Sequence, residues 1–136
     1  MRTETRVYSD DKKKLLKAFG GSELRSVTHD KKGRHDELVF EFADGKTMRL
    51  ETEADCCSST WIEHLTVPDD IDGATLVGIE DCGEWGEAKQ TIKDHPEHDC
   101  LQIYETRFRT TRGDVVCEYR NASNGYYGGD LRPVWK

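Results

Sequence analysis

At 136 residues the chain has the length of one domain, 1–136, and can bury a core without disulfide or metal staples. It is 35% hydrophobic and 35% charged, and three Trp, five Tyr and four Phe spread along it argue against disorder. A net charge of −7, from 27 acidic and 20 basic side chains that alternate rather than segregate, argues against non-specific nucleic-acid or anionic-membrane binding and falls short of a DNA mimic.

No apolar run approaches the ~20 residues that span a bilayer. Met1-Arg2-Thr3-Glu4-Thr5-Arg6 offers no apolar segment of a signal peptide. Five cysteines, an odd number in no small-secreted pattern, fit a reduced protein, so a cytoplasmic location is expected.

Ser9-Asp10-Asp11 followed by Lys12 to Phe19 reads as a short helix, with Ser9 or Asp10 as N-cap and Gly20-Gly21 as its stop. Leu15, Leu16 and Phe19 share one face. Glu23 to Thr28 reads as a strand, followed by a turn at Lys32-Gly33-Arg34. Leu38, Phe40 and Phe42 then alternate with Val39 and Glu41, the period of a half-buried strand. Ala43-Asp44-Gly45-Lys46 predicts a hairpin with a type I′ turn, and Met48 and Leu50 resume the apolar face.

Beyond Cys56-Cys57, the residues Trp61, Ile62 and Leu65 suit either a strand or a short helix. Pro68 to Gly73 interrupts the pattern and has room for one helical turn. Thr75 to Glu80 reads as a strand. Asp81 to Asp99 lacks periodicity and reads as a long connection. Leu101 to Thr111 is a strand with Tyr104, Thr106 and Phe108 on one side and Ile103, Arg107 and Arg109 on the other. Arg112-Gly113-Asp114 turns the chain, Val115 to Arg120 pairs back, and Leu131, Val134 and Trp135 of the tail are expected to dock on the sheet. The order predicts an α+β fold: a mainly antiparallel sheet of about six strands with one or two short helices.

Two dense blocks stand out, each after the second strand of a hairpin: Asp55-Cys56-Cys57-Ser58-Ser59-Thr60-Trp61-Ile62-Glu63 and Ser123-Asn124-Gly125-Tyr126-Tyr127-Gly128-Gly129. Adjacent cysteines on a strand point to opposite faces, so Cys56 and Cys57 are more simply packing residues than a metal or disulfide pair. A Cys57 nucleophile with His64 as base lacks any accompanying signature. Zinc would favour His95, His98 and Cys100, with Cys82 upstream, yet no Cys-x-x-Cys accompanies them, and the plainer reading is a solvated loop. In the second block the glycines let backbone approach a ligand, and the tyrosines offer stacking faces and hydroxyls. Arg107, Arg109, Arg112 and Arg120 on the adjoining hairpin suit a phosphate beside a stacked base; the plainer reading is a tight turn with arginines paired to surface acids. No Walker loop, dinucleotide fingerprint, nucleophile elbow or His-Glu-x-x-His occurs.

Asp44-Gly45, Asp55-Cys56-Cys57-Ser58-Ser59 with Ile62-Glu63, and Ser123-Asn124-Gly125-Tyr126-Tyr127 together resemble a family of small phage and prophage proteins of unknown function, over roughly Leu38 to Tyr127. Ser58 stands where that family often has an acid. Glu51, Thr52 and Glu53 stand where it often has a histidine. Both departures weigh against a metal or catalytic role carried over from it. The resemblance implies a phage or mobile-element origin, and by association a role in blocking or absorbing host defence signals.

The leading expectation is a non-catalytic protein that binds, without cofactor, a small anionic ligand such as a cyclic nucleotide. Its site would comprise Asp55, Cys57, Ser59, Trp61, Glu63, Arg107, Arg109, Ser123, Asn124, Tyr126 and Tyr127. Self-association is compatible with such a site. The alternatives are an inhibitor or adaptor that docks a host protein through an acidic surface and the aromatics Trp61 and Trp85, and a small hydrolase dependent on cysteine or metal.

Overall fold

The computed structural model describes residues 8–32, 35–54, 59–89, 100–123 and 129–135. Helix α1 (Ser9–Phe19) precedes eight strands: β1 (Leu24–Lys32), β2 (His35–Phe42), β3 (Thr47–Ala54), β4 (Ser59–Thr66), β5 (Leu76–Lys89), β6 (Cys100–Thr110), β7 (Gly113–Ser123) and β8 (Gly129–Pro133). They form two four-stranded sheets, β1-β2-β3-β8 and β4-β7-β6-β5, and every pairing between strands is antiparallel. The broad α+β class holds, with eight strands rather than six.

The sheets face each other across one core. Leu38, Phe40 and Phe42 of β2 and Met48 and Leu50 of β3 meet Tyr104 and Phe108 of β6 and Val115, Cys117 and Tyr119 of β7. Phe40 and Phe108 bring their ring centroids to 4.7 Å. Each such side chain, fully buried, contributes about 1.5–3 kcal/mol of hydrophobic stabilisation. The expected alternation in β6 is present: Tyr104, Thr106 and Phe108 are buried, whereas Ile103, Arg107 and Arg109 lie on the outer face.

Helix α1 runs between the outer strands of the two sheets. Leu15 is buried and Phe19 stacks on Phe42 at 5.2 Å. Lys12 Nζ pairs with Asp81 Oδ2 of β5 at 3.0 Å, and the Arg132 guanidinium of β8 lies 5.4 Å from the Tyr8 ring centre. The helix begins one or two residues earlier than expected: Tyr8, rather than Ser9 or Asp10, is its N-cap and makes no side-chain capping bond. Asp10 and Asp11 in the first turn and Lys17 in the last instead complement the helix dipole. Among the described residues no helix is long and apolar enough to cross a membrane.

Several local expectations are corrected. The β2–β3 turn is a three-residue loop. Gly45 N–H donates to Phe42 O at 3.1 Å and Phe42 N–H to Lys46 O at 3.0 Å, leaving Gly45 at φ +90°. It is therefore a turn closed by a left-handed glycine rather than a type I′ turn. Residues 68–74 form two successive turns with no helical turn, closed by Ile71 N–H to Pro68 O and Ala74 N–H to Ile71 O, with Ile71 buried. The stretch read as a connection from Asp81 to Asp99 is strand as far as Lys89. Register shifts between Asp81 and Glu84 and between Glu84 and Glu87 break its alternation, so no period of two survives in the sequence. β4 is a strand, and its own shift between Ile62 and His64 hides its period. In the tail Leu131 reaches the core through β8, but Trp135 is 49% exposed.

Candidate functional site

The two singled-out blocks occupy equivalent places in the fold. Residues 55–58 carry the chain from β3 in one sheet to β4 in the other, and residues 124–128 carry it back from β7 to β8. The strands exchange partners reciprocally. β4, which carries Ser59 to Glu63 of the first block, pairs with β7, which enters the second at Ser123; β8, which leaves the second at Gly129, pairs with β3, which precedes the first. Ala54 lies opposite Gly129 and Ser59 opposite Ala122, so the roots of both blocks are neighbours in the ladders. Lys89 and Cys100, which bound residues 90–99, pair with one another, and Cys100 pairs with Ser123, so that segment leaves from the same end.

Asp55, Cys57, Asn124, Tyr126, Tyr127, His95 and His98 lie outside the described residues. Ser59 opens β4 within the first block, and Ser123 ends β7 as the first residue of the second. Cys100 opens β6 and Cys82 and Trp85 lie within β5. Among the described residues no three His, Cys, Asp or Glu side chains converge as a metal site.

The interior changes character towards this crossover end. Asp36, Thr52, Thr60 and Asn121 are buried there and bond across strands and sheets. Asp36 N–H donates to Thr52 Oγ1 at 3.0 Å, Asn121 Nδ2 to Thr60 Oγ1 at 2.8 Å, and Ile62 N–H to Asp36 Oδ2 at 2.8 Å. None of these four is among the site residues expected from the sequence, although Thr60 lies in the first block. For Asn121 a signal existed, because the two-residue period of Val115, Cys117 and Tyr119 continues onto it.

Cys117 lies in this interior, fully buried. Burial, reinforced by Asp36 and Glu118, pushes its thiol from the ordinary 9.0 up to about 12. A thiol held protonated is a poor nucleophile, so Cys117 is a packing residue.

On the outer face of the β4–β7–β6–β5 sheet, charged side chains form rows. Trp61, Arg120 and Ile103 stand side by side, and His64, Glu118 and Glu105 form the next row. Trp61 is half-buried and its Nε1 donates to Glu63 Oε1 at 2.9 Å; Glu63 is exposed. Arg120 Nη2 donates to Glu118 Oε1 at 2.7 Å.

Arg107 and Arg109 stand apart from the crossover end. They lie seven and nine residues along β6 from Cys100, which at strand rise is ~24 and ~31 Å from the crossover end. Both are engaged by acids there: Arg107 by Glu105 at 2.8 Å and Asp114 at 3.5 Å, Arg109 by Glu80 at 2.8 Å and Asp114 at 3.6 Å. The fold thus gathers the roots of the two blocks and separates these two arginines from them. Arg112 is a structural clamp, donating to Asp70 O and Asp72 O.

A two-sheet antiparallel domain with one short helix, whose two crossovers share one end, is the class of protein defined here. The chain belongs to the family described as a domain of unknown function, DUF7448, whose model matches residues 6–132. No curated protein and no solved structure matches it.

Proposed function

We propose that this chain is a non-catalytic binding protein of phage-accessory type, holding a small anionic, nucleotide-derived ligand at its crossover end. One observation carries the reading: the pairs Ala54–Gly129 and Ser59–Ala122 root both blocks beside each other. Ligand sites favour such loops on a rigid β scaffold. In this reading Tyr126 or Tyr127 stacks on a base and Asn124 bonds its edge. Sequestration of an immune signal needs affinity alone, in keeping with a sequence that carries no catalytic motif.

The test is a thermal-shift screen against cyclic nucleotides, cyclic ADP-ribose isomers and divalent metals. A ligand at a hundred times its dissociation constant adds about 2.7 kcal/mol of stability. One nucleotide class should raise Tm, and Asn124→Ala and Tyr126→Ala should abolish that rise while leaving the Tm of the unliganded protein nearly unchanged. A rise with zinc alone would move the site to His95, His98 and Cys100. No rise with any compound would sink the ligand reading in favour of a protein partner, a reading supported by the net charge of −7 and the exposed Trp135 indole.

A further inference from the structure

We propose that Arg120 is the anion anchor of this protein, binding one oxyanion of a phosphate ester through Nη1 beside Trp61. The inference rests on the ligand reading above and assigns its charged subsite to a residue other than Arg107 and Arg109.

Three observations carry it. First, Arg120 Nη1 is buried and has no hydrogen-bond partner among the described residues, while Nη2 is held by Glu118 at 2.7 Å. A buried cationic donor without an acceptor is costly, and an arriving oxyanion removes that cost. The other two outward arginines of this hairpin each reach two carboxylates. Second, its cross-strand neighbours are Trp61 on β4 and Ile103 on β6, both half-buried. Apolar flanks lower the local dielectric and strengthen a charge-assisted bond. Third, Arg120 is three residues from Ser123 at the end of β7, ~10 Å from the crossover end that roots both blocks.

The whole Arg120 side chain is 17% exposed, so the guanidinium lies just under the surface. The indole N–H of Trp61, beside it, donates to the exposed Glu63 carboxylate at 2.9 Å. Glu118 fixes the guanidinium and also opposes an anion beside it.

The experiment titrates the full chain with inorganic phosphate, and separately with acetate, at ionic strength held constant with chloride. It reads Tm and tryptophan fluorescence. Phosphate should give a saturable change in both, and Trp61→Phe should remove the fluorescence change. Arg120→Gln should weaken phosphate binding by about tenfold to a hundredfold, with Arg120→Lys between, since a lysine keeps the charge but loses the fork. Glu118→Gln should tighten binding, which keeps the test decisive if Arg120→Gln fails to fold. A response to acetate equal to that with phosphate would overturn the phosphate-ester assignment. Equal phosphate responses of wild type and Arg120→Gln, or none in wild type, would overturn the anchor. Nucleotide binding that survives Arg120→Gln would leave the proposed function standing and remove this subsite. A phosphate response lost in Arg120→Gln, with no nucleotide bound, would keep the subsite and end the nucleotide reading.

Discussion

Asp36 of β2 and Ile62 of β4 are joined by a hydrogen bond of 2.8 Å between a buried carboxylate oxygen and a backbone N–H, linking one sheet to the other. Ile62 sits at the register shift of β4, where the ladder to β7 skips Glu63. Asp36 therefore holds the strand that carries the first block's C-terminal half. Asp36→Ala should cost about 1–3 kcal/mol, the penalty of a buried N–H left without an acceptor. Asp36→Asn, whose amide oxygen still accepts, should cost less. Urea unfolding of both variants measures the difference, and equal losses would show that the carboxylate charge rather than the bond matters.

Cys117 gives the fold an alkaline limit. Its thiol is pushed up to about 12 in the folded state, above the 9.0 of an unfolded chain. Between those values the unfolded chain sheds a proton that the folded one keeps, so stability falls as pH rises from 9 towards 12. Cys117→Ala should flatten that fall relative to wild type in pH-dependent unfolding, although the small cavity lowers stability throughout. In the native protein at pH 8, mass-resolved alkylation should leave Cys117 unlabelled until denaturant is added.

Much of this fold is readable where the two-residue period is undisturbed. The Leu38–Phe42 and Met48–Leu50 alternation marks one hairpin, and Tyr104, Thr106 and Phe108 mark the strand of the other. The period fails where bulges interrupt it: after Ile62 in β4 and after Asp81 in β5, residues drop out of register and helix, loop and strand become indistinguishable by pattern. β8 is short and ends in Pro133, which gives it a weak strand signature. At the site, block composition and position after hairpins are visible in sequence, but their shared end is not, because it depends on the long-range pairings Ala54–Gly129 and Ser59–Ala122. The arginines show the same gap. Composition groups Arg107, Arg109 and Arg120 on one hairpin, whereas strand direction puts Arg120 near the blocks and the other two towards the opposite turn.

That separation has a direct consequence. Arg107 and Arg109 are 39% and 48% exposed at the side chain and paired with acids. Exposed pairs contribute ~0–1 kcal/mol each. The Arg107→Ala and Arg109→Ala variants should therefore unfold within about 1 kcal/mol of wild type and retain ligand affinity. Calorimetric titration with the nucleotide found by the screen decides this, and a tenfold loss in either variant would restore these arginines to the site.

Two glycines with positive φ should respond differently to the same substitution. Gly45 has φ +90°, and a Cβ there meets nothing within 4 Å, so Gly45→Ala carries only the left-handed backbone penalty of about 1–2 kcal/mol. Gly73 has a nearly equal φ of +93°, but its Cβ would come within 3.2 Å of Arg112 Nη1. That nitrogen donates to the carbonyls of Asp70 and Asp72 and holds the two turns of residues 68–74. Gly73→Ala must push the guanidinium aside and weaken the clamp, so it should cost more than Gly45→Ala. If the excess comes from the clamp, Gly73→Ala in an Arg112→Ala background should fall back to the Gly45→Ala value, a non-additivity visible in a double-mutant cycle. An excess that persists without Arg112 would place the strain in the backbone of the turn itself.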